Sequence, residues 1–215
     1  MAWECLKATK PKIFVAIPHT GTWSAEFTEF TYGRLRFIPV NFADKITTPS
    51  RAGSLTVARN MLAKAFLEDK DATHIFWLDS DIVITKPPDP NEALRLLLSC
   101  NAPIVSGLYL ARQTTGFRPS MWVKVQGGYS NDFKYTGNWF SVDAIGLGCC
   151  LVQRQVFEKI PYPYFHWDDE PSEDFYFCEQ CKKAGFDIKV FTEVQASHIG
   201  LLAVDFDGKV RTLRV

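Results

Sequence analysis

The chain has 215 residues with 24 basic and 24 acidic side chains, which allows one domain with a sizeable core. Balanced charge leaves no global field to recruit nucleic acid or an anionic membrane. No stretch approaches the roughly 20 apolar residues of a membrane span. Met1-Ala2-Trp3-Glu4-Cys5-Leu6-Lys7 also lacks the apolar segment of a signal peptide, so a soluble, cytoplasmic protein is expected.

In chain order, Lys12-Ile13-Phe14-Val15-Ala16-Ile17 reads as a first buried strand, broken at Pro18-His19-Thr20-Gly21. A turn after the first strand of an α/β fold is a usual ligand-contacting loop. Residues 35–40 read as a second strand, with Pro39 at an edge or bulge, and residues 41–53 as a loop. Ser54 is expected to cap a helix reaching about residue 69, with Leu55, Ala58, Leu62, Ala65 and Phe66 as its buried stripe. Arg59 and Asn60 lie beside that stripe.

Residues 74–84 form an apolar run carrying Asp79-Ser80-Asp81, read as one strand delivering two carboxylates to a sheet edge. Asp89, Pro90 and Glu92 mark a helix start, and that helix runs to Cys100. Residues 104–109 give another strand, so strand and helix alternate and predict a parallel sheet. In the second half, residues 120–125 and 140–145 read as strands joined by a Gly, Asn and aromatic loop. Gly146-Leu147-Gly148 then leads to a short helix at residues 153–159. A Tyr- and Trp-rich loop follows, in which residues 162–169 could close as a lid. Ser172 caps a helix with Glu173 and Asp174 in its first turn, and residues 187–191 form a late strand before a polar end at His198.

Several constellations could carry chemistry. Asp79 and Asp81 repel each other unless a cation lies between them, and oxygen ligands suit Mg²⁺ or Mn²⁺. His198 could add a neutral imidazole to a Mn²⁺-class site. Glu173 and Asp174 complement a helix dipole, which on its own would hold their pKa values down and make weak bases. Cys178 and Cys181, spaced i, i+3, are expected as packed, reduced thiols. Absent are a Gly-x-Gly-x-x-Gly or Walker sequence after the first strand and a Gly-x-Ser-x-Gly elbow. A haloacid-dehalogenase-type phosphatase also has an apolar strand and Asp-x-Asp. That pattern lies near the N-terminus and needs Thr or Ser where this chain has Val83.

Taken in order, Ile17-Pro18-His19-Thr20, Ala58-Arg59-Asn60, Asp79-Ser80-Asp81, Gly146-Leu147-Gly148, Glu173-Asp174 and His198 resemble the nucleotide-sugar glycosyltransferases of the GT-A fold, particularly the family-2-like group. The resemblance implies an α/β, single GT-A (Rossmann-like) domain over residues 1–215, with a mostly parallel central sheet flanked by helices. Residues up to about 112 would form the nucleotide-sugar-binding half, and those from about 113 the acceptor and catalytic half. It implies a metal-dependent hexosyltransferase-like enzyme, with Mn²⁺ or Mg²⁺ and a nucleoside-diphosphate sugar donor. The acceptor would be a hydroxyl of a glycan, lipid, protein or small molecule.

By the same resemblance, Asp81 would ligate the metal, and His198 would contribute late in the chain. Asp79 would hold the ribose or reach the metal through water, with Ser80 beside it on the donor. Pro18, His19 and Thr20 would line the nucleobase and ribose pocket, and Arg59 would stand near the diphosphate or sugar. Gly146 and Gly148 would admit donor and acceptor closely, and Asp174, next to Glu173, would be the base of an inverting reaction. The chain lacks the family's Gln- or Arg-x-x-Arg-Trp signature, having Glu179-Gln180-Cys181-Lys182-Lys183 nearby, which argues against processive polysaccharide synthesis. Two alternatives stay open: a nucleotidyltransferase that makes nucleotide sugars, and a non-catalytic nucleotide- or sugar-binding module.

Overall fold

Strand β1 (Ile13–Ala16) is buried along its length, and period-2 alternation sends its side chains into two cores. Phe14 and Ala16 enter one, Ile13 and Val15 the other. The computed structural model describes residues 11–19, 23–34, 43–46, 55–111, 118–167, 172–199, 202–204 and 210–212, with backbone alone for 32–34, 43–46, 202–204 and 210–212. Thr20, Gly21, Ser54 and the strand expected at 35–40 lie outside the described residues.

After β1, Ser24 caps α1 (Ala25–Thr28) by accepting the Phe27 N–H at 3.0 Å, and a π-helical turn continues it (Glu29–Arg34). Strand β2 (Ala43–Ile46) pairs parallel to β1, inside the stretch expected as loop. Helix α2 (Leu55–Glu68) matches expectation in extent, but its buried face is rotated. Ala58, Arg59, Asn60, Leu62, Ala63 and Phe66 turn inward while Leu55 is exposed. A stripe drawn from apolar residues alone omits polar side chains whose partners lie inside.

Strand β3 (His74–Leu78) is shorter than expected. A turn at Asp79-Ser80-Asp81, closed by the Ile82 N–H on the Asp79 carbonyl at 3.0 Å, leads into β4 (Ile82–Lys86). The acids therefore close β3, as expected, while residues 82–84 belong to a second strand and not to the first. Helix α3 (Pro90–Ser99) starts as predicted, with the Asp89 carboxylate accepting the Asn91 N–H at 2.9 Å and Pro90 in its first turn. The chain continues through β5 (Ile104–Leu108), β6 (Met121–Val125), β7 (Gly128–Ser130), β8 (Trp139–Val142), β9 (Ala144–Ile145) and β10 (Cys149–Gln153). Then come α4 (Arg154–Lys159), α5 (Glu173–Lys183), β11 (Ile188–His198), β12 (Leu202–Val204) and β13 (Val210–Thr212). The polar end at His198 is thus the end of β11 itself.

The main sheet has the order β13-β12-β11-β5-β10-β3-β1-β2, with β4 and β8 also pairing with β11, and β7-β6-β9 form a smaller sheet. Strands β2, β1, β3, β5 and β11 point one way, as a mostly parallel sheet requires. Strand β10 runs against both neighbours, and β4, β8 and β12 run against β11, so the whole sheet is mixed. One core joins it to α2, α4 and α5 through Phe66, Phe157 and Phe177; the other joins it to α1 and α3 through Phe27, Leu94 and Leu97. No helix among the described residues is long and apolar enough to cross a membrane.

Candidate active site at the sheet edge

The parallel strands end at one edge, where α/β folds bind ligands. Trp77 and Asp79 lie two residues apart at the end of β3, and both meet Arg59 of α2. The guanidinium stands 5.4 Å over the Trp77 ring, and its Nη2 donates to Asp79 Oδ2 at 3.1 Å. From the first turn of α5, Glu173 Oε1 lies 3.4 Å and Asp174 Oδ1 3.5 Å from Arg59 Nε. With 1% of its side chain exposed, Arg59 is enclosed by protein and not laid open toward a donor. Burial alone would lower its basicity, but Asp79, Asp174 and Glu173 together raise it.

One cation facing three carboxylates leaves excess negative charge. Burial pushes Asp174 up to about 7; Arg59 opposes this, while Glu173 and Asp79 add to it. The helix dipole was expected to hold this acid down; desolvation outweighs it. Asp79 is likewise raised, first by burial, with Arg59 opposing and Asp81 adding. Glu173 is almost covered, at 4% side-chain exposure, whereas Asp174 keeps 18%.

Asp81 lies close enough to Asp79 to raise it, and makes a pairing of its own. Pairing of β4 with β11 sets Ile82 opposite His198, so His198 Nε2 comes 3.4 Å from Asp81 Oδ2. His198 Nδ1 is 3.1 Å from the Leu110 carbonyl, an acceptor, so the neutral tautomer with the proton on Nδ1 satisfies that carbonyl and is the one that leaves the Nε2 lone pair for a cation. Asp79 and Asp81 thus lie near each other with a separate partner each, Arg59 for Asp79 and His198 for Asp81. Among the described residues, no three His, Cys, Asp or Glu side chains are gathered as a metal cage in this conformation. The donors nevertheless suit a Mn²⁺-class ion. Carboxylate oxygen and imidazole nitrogen lie together at Asp81 and His198, and the buried Asp79 Oδ1 makes no hydrogen bond.

Gly146 and Gly148 are needed by the protein itself. A Cβ on Gly148 would lie 2.8 Å from Ile82 Cγ1, 3.0 Å from the Tyr109 hydroxyl and 3.2 Å from Asp79 Oδ2, and one on Gly146 would strike Tyr109 and Ser120. Tyr109, absent from the sequence-based site, is 4% exposed, and its hydroxyl accepts the Gly148 N–H at 3.0 Å. Burial, with Asp79 and Asp174 nearby, holds its phenol well above the ordinary range. No sequence pattern marks it, because its role depends on the backbone of β10's approach.

Pro18 is buried and His19 half-buried after β1, with the His19 ring edge-on to Trp23 at 5.2 Å. The register of Ala16 with Trp77 brings these residues alongside the Asp79 turn. Asn60 anchors the aromatic loop: its Oδ1 accepts Tyr164 and Phe165 N–H groups at 3.0 and 3.3 Å, and its Nδ2 donates to the Phe165 carbonyl at 2.7 Å. Phe165 also stacks on Phe177 with centroids 5.0 Å apart. That part of the suggested lid is fixed, while Trp167 is 60% exposed and residues 168–169 lie outside the described residues. Cys178 and Cys181 are buried free thiols, and burial holds Cys178 up to about 12, unlike a metal-binding thiolate.

These elements make up a GT-A-like fold. The chain is similar in structure to A197 from STIV, at TM-score 0.69 and 20% identity, over 95% of each chain. It is also similar to the glycosyltransferase GalNAc-T7, solved with UDP, GalNAc and Mn²⁺, at TM-score 0.59 and 13% identity, over 90% of this chain and 44% of that one. At these identities the likeness is one of fold. No protein-family model and no curated protein sequence matches the chain.

Proposed function

We propose that the protein is a metal-dependent glycosyltransferase that moves a sugar from a nucleoside-diphosphate sugar to an acceptor hydroxyl with inversion. The observation that carries this reading is the Asp81–His198 pair beside Asp79 at the ligand-binding edge of a GT-A-like sheet. Asp81 and His198 are the residues that would hold Mn²⁺ or Mg²⁺, with Asp79 serving the donor ribose or a metal-bound water. Such an ion, when bound, offsets charge on the leaving diphosphate as a Lewis acid.

The protein's own residues do the rest. Pro18, His19, Thr20 and Ser80 contact the nucleotide, and Gly146 and Gly148 let the backbone pack against Tyr109 and the Asp79 turn beside the sugar. Asp174, raised to about 7, takes the acceptor O–H proton as that oxygen bonds to the anomeric carbon and the bond to diphosphate breaks. Glu173 and Arg59 hold Asp174 in place. Residues up to about 112 supply the donor side, and later residues the acceptor side.

The test is incubation with UDP-, GDP- and dTDP-sugars and Mn²⁺, followed by measurement of free nucleoside diphosphate. Metal-dependent release with at least one donor supports the reading. Nucleotide binding with no release would assign a binding module instead, and pyrophosphate formation from a nucleoside triphosphate would assign a nucleotidyltransferase.

A further inference from the structure

Two adjacent backbone units hold the site together. The Leu147 N–H donates to Asp174 Oδ2 at 3.3 Å, the Gly148 N–H donates to the Tyr109 hydroxyl at 3.0 Å, and the Gly148 carbonyl accepts the Asp79 N–H at 3.0 Å. Both carboxylate-bearing residues thus bond to a segment that the Tyr109 phenol anchors at Gly148, beside the Gly146 N–H on the Ser120 carbonyl at 3.0 Å and the buried Leu147 side chain. The same side chain reaches the other half of the site: the Tyr109 ring stands edge-on to His198, centroids 5.8 Å apart, while the next residue's carbonyl takes the His198 Nδ1–H. Tyr109 also hydrogen-bonds Ser120, so its hydroxyl is fixed from two sides.

We propose that Tyr109 is the positioning residue of this site, with separable tasks for its two ends. The hydroxyl sets the Leu147-Gly148 backbone, and through it Asp79 and Asp174. The ring braces His198 so that Nε2 stays aimed at Asp81. Groups that orient a metal-binding histidine commonly change metal affinity 10–100-fold when removed. The assignment of chemistry to these partners rests on the glycosyltransferase reading; their placement by Tyr109 does not.

The experiment compares Tyr109→Phe, Tyr109→Leu and a control, Leu97→Ala, a packing change on α3 within the same core as Tyr109. Histidine ¹⁵N NMR of the metal-free full chain, with the ring neutral, reports the His198 tautomer. The Nδ1–H form is expected in the wild type and Tyr109→Phe, and a mixed tautomer in Tyr109→Leu. Mn²⁺ titration is expected to show affinity within about twofold for Tyr109→Phe and at least about tenfold weaker for Tyr109→Leu. Turnover should drop in Tyr109→Phe through kcat, by way of Asp174, with donor KM raised by way of Asp79 and the pH profile shifted. Leu97→Ala, matched for lowered Tm, should move none of these readouts. An unchanged tautomer in Tyr109→Leu, or changes in both Tyr109 variants that merely follow Tm as in the control, would overturn the proposal. A wild type that neither binds Mn²⁺ nor turns over would remove the function reading, and the tautomer would still decide whether Tyr109 positions His198.

Discussion

Arg59 Nη2 and Asp79 Oδ2 meet at 3.1 Å where Arg59 is all but inaccessible to water. The bond joins the second turn of α2 to the end of β3. Removing one partner of a buried pair strands the other charge, at roughly 3–5 kcal/mol. Arg59→Met strands three carboxylates and is expected to destabilise by that order in urea titrations, more at about pH 8 than at about pH 5, where the acids can take up protons. Arg59→Lys should lose less, since charge remains but the fork across Nε and Nη2 does not. A loss within about 1 kcal/mol for Arg59→Met would contradict the enclosed arrangement.

Two partly buried groups give stability opposite pH slopes. Asp174 lies at about 7 in the fold against 3.8 ordinarily, so between these values the folded chain holds a proton the unfolded chain has released. Its contribution is fully present below about pH 4 and is lost as pH rises through about 7. His74, depressed by burial to about 4 from 6.5, does the reverse: its contribution is present above 6.5 and is lost as pH falls toward 4. Relative to wild type, Asp174→Asn should tilt the stability curve upward with pH across this window, and His74→Gln downward. Each slope is at most about 1.4 kcal/mol per pH unit. Chemical denaturation at several pH values measures both.

Gly148→Ala places a methyl against Ile82, Tyr109 and Asp79 Oδ2. Crowding of this kind costs about 1–3 kcal/mol. The Asp79 carboxylate must also move, so donor binding should weaken together with stability, as nucleotide titration and thermal melting would show.

Within the proposed reaction, Asp81→Ala and Asp174→Asn should fail differently. Asp81→Ala should abolish the response of turnover to Mn²⁺. Asp174→Asn should retain Mn²⁺ binding and lose about 10²–10⁴-fold in kcat, the usual worth of a positioned base. Turnover unchanged in Asp174→Asn would reassign the base and leave the cation residues standing. Product NMR reads the anomeric configuration directly, with inversion as the expected outcome.

Asn60→Ala removes the acceptor for two loop N–H groups and the donor to the Phe165 and Thr56 carbonyls, the latter at 3.0 Å. Leaving such groups unsatisfied costs about 1–3 kcal/mol each where water cannot replace the bond. Destabilisation of about 3 kcal/mol is expected, with faster hydrogen exchange centred on Tyr164 and Phe165.

Elements set by local pattern were legible in the chain: β1 from its apolar run, α3 from Asp89-Pro90, and the start of α5 from Ser172 and the acids after it. The turn between β3 and β4 was not, because apolar residues resume directly after Asp79-Ser80-Asp81 and the three polar residues include no Gly or Pro to mark a turn. Burial of Arg59 escaped for another reason. Its partners lie 20 and 114 residues away in sequence for Asp79 and Glu173, so no local pattern registers them. The same holds for Tyr109, which reads as one more core aromatic until Gly148 is seen against its hydroxyl.

Strand β11 pairs with β5, β4, β8 and β12 and ends at His198. Asp81 is laid down more than a hundred residues before its histidine, and only the docking of β11 unites them. During synthesis the edge therefore carries its acids while lacking its imidazole. The Asp81–His198 pair comes into being with closure of the sheet, so any cation that needs both residues reports a finished fold and is not available to help build the earlier half.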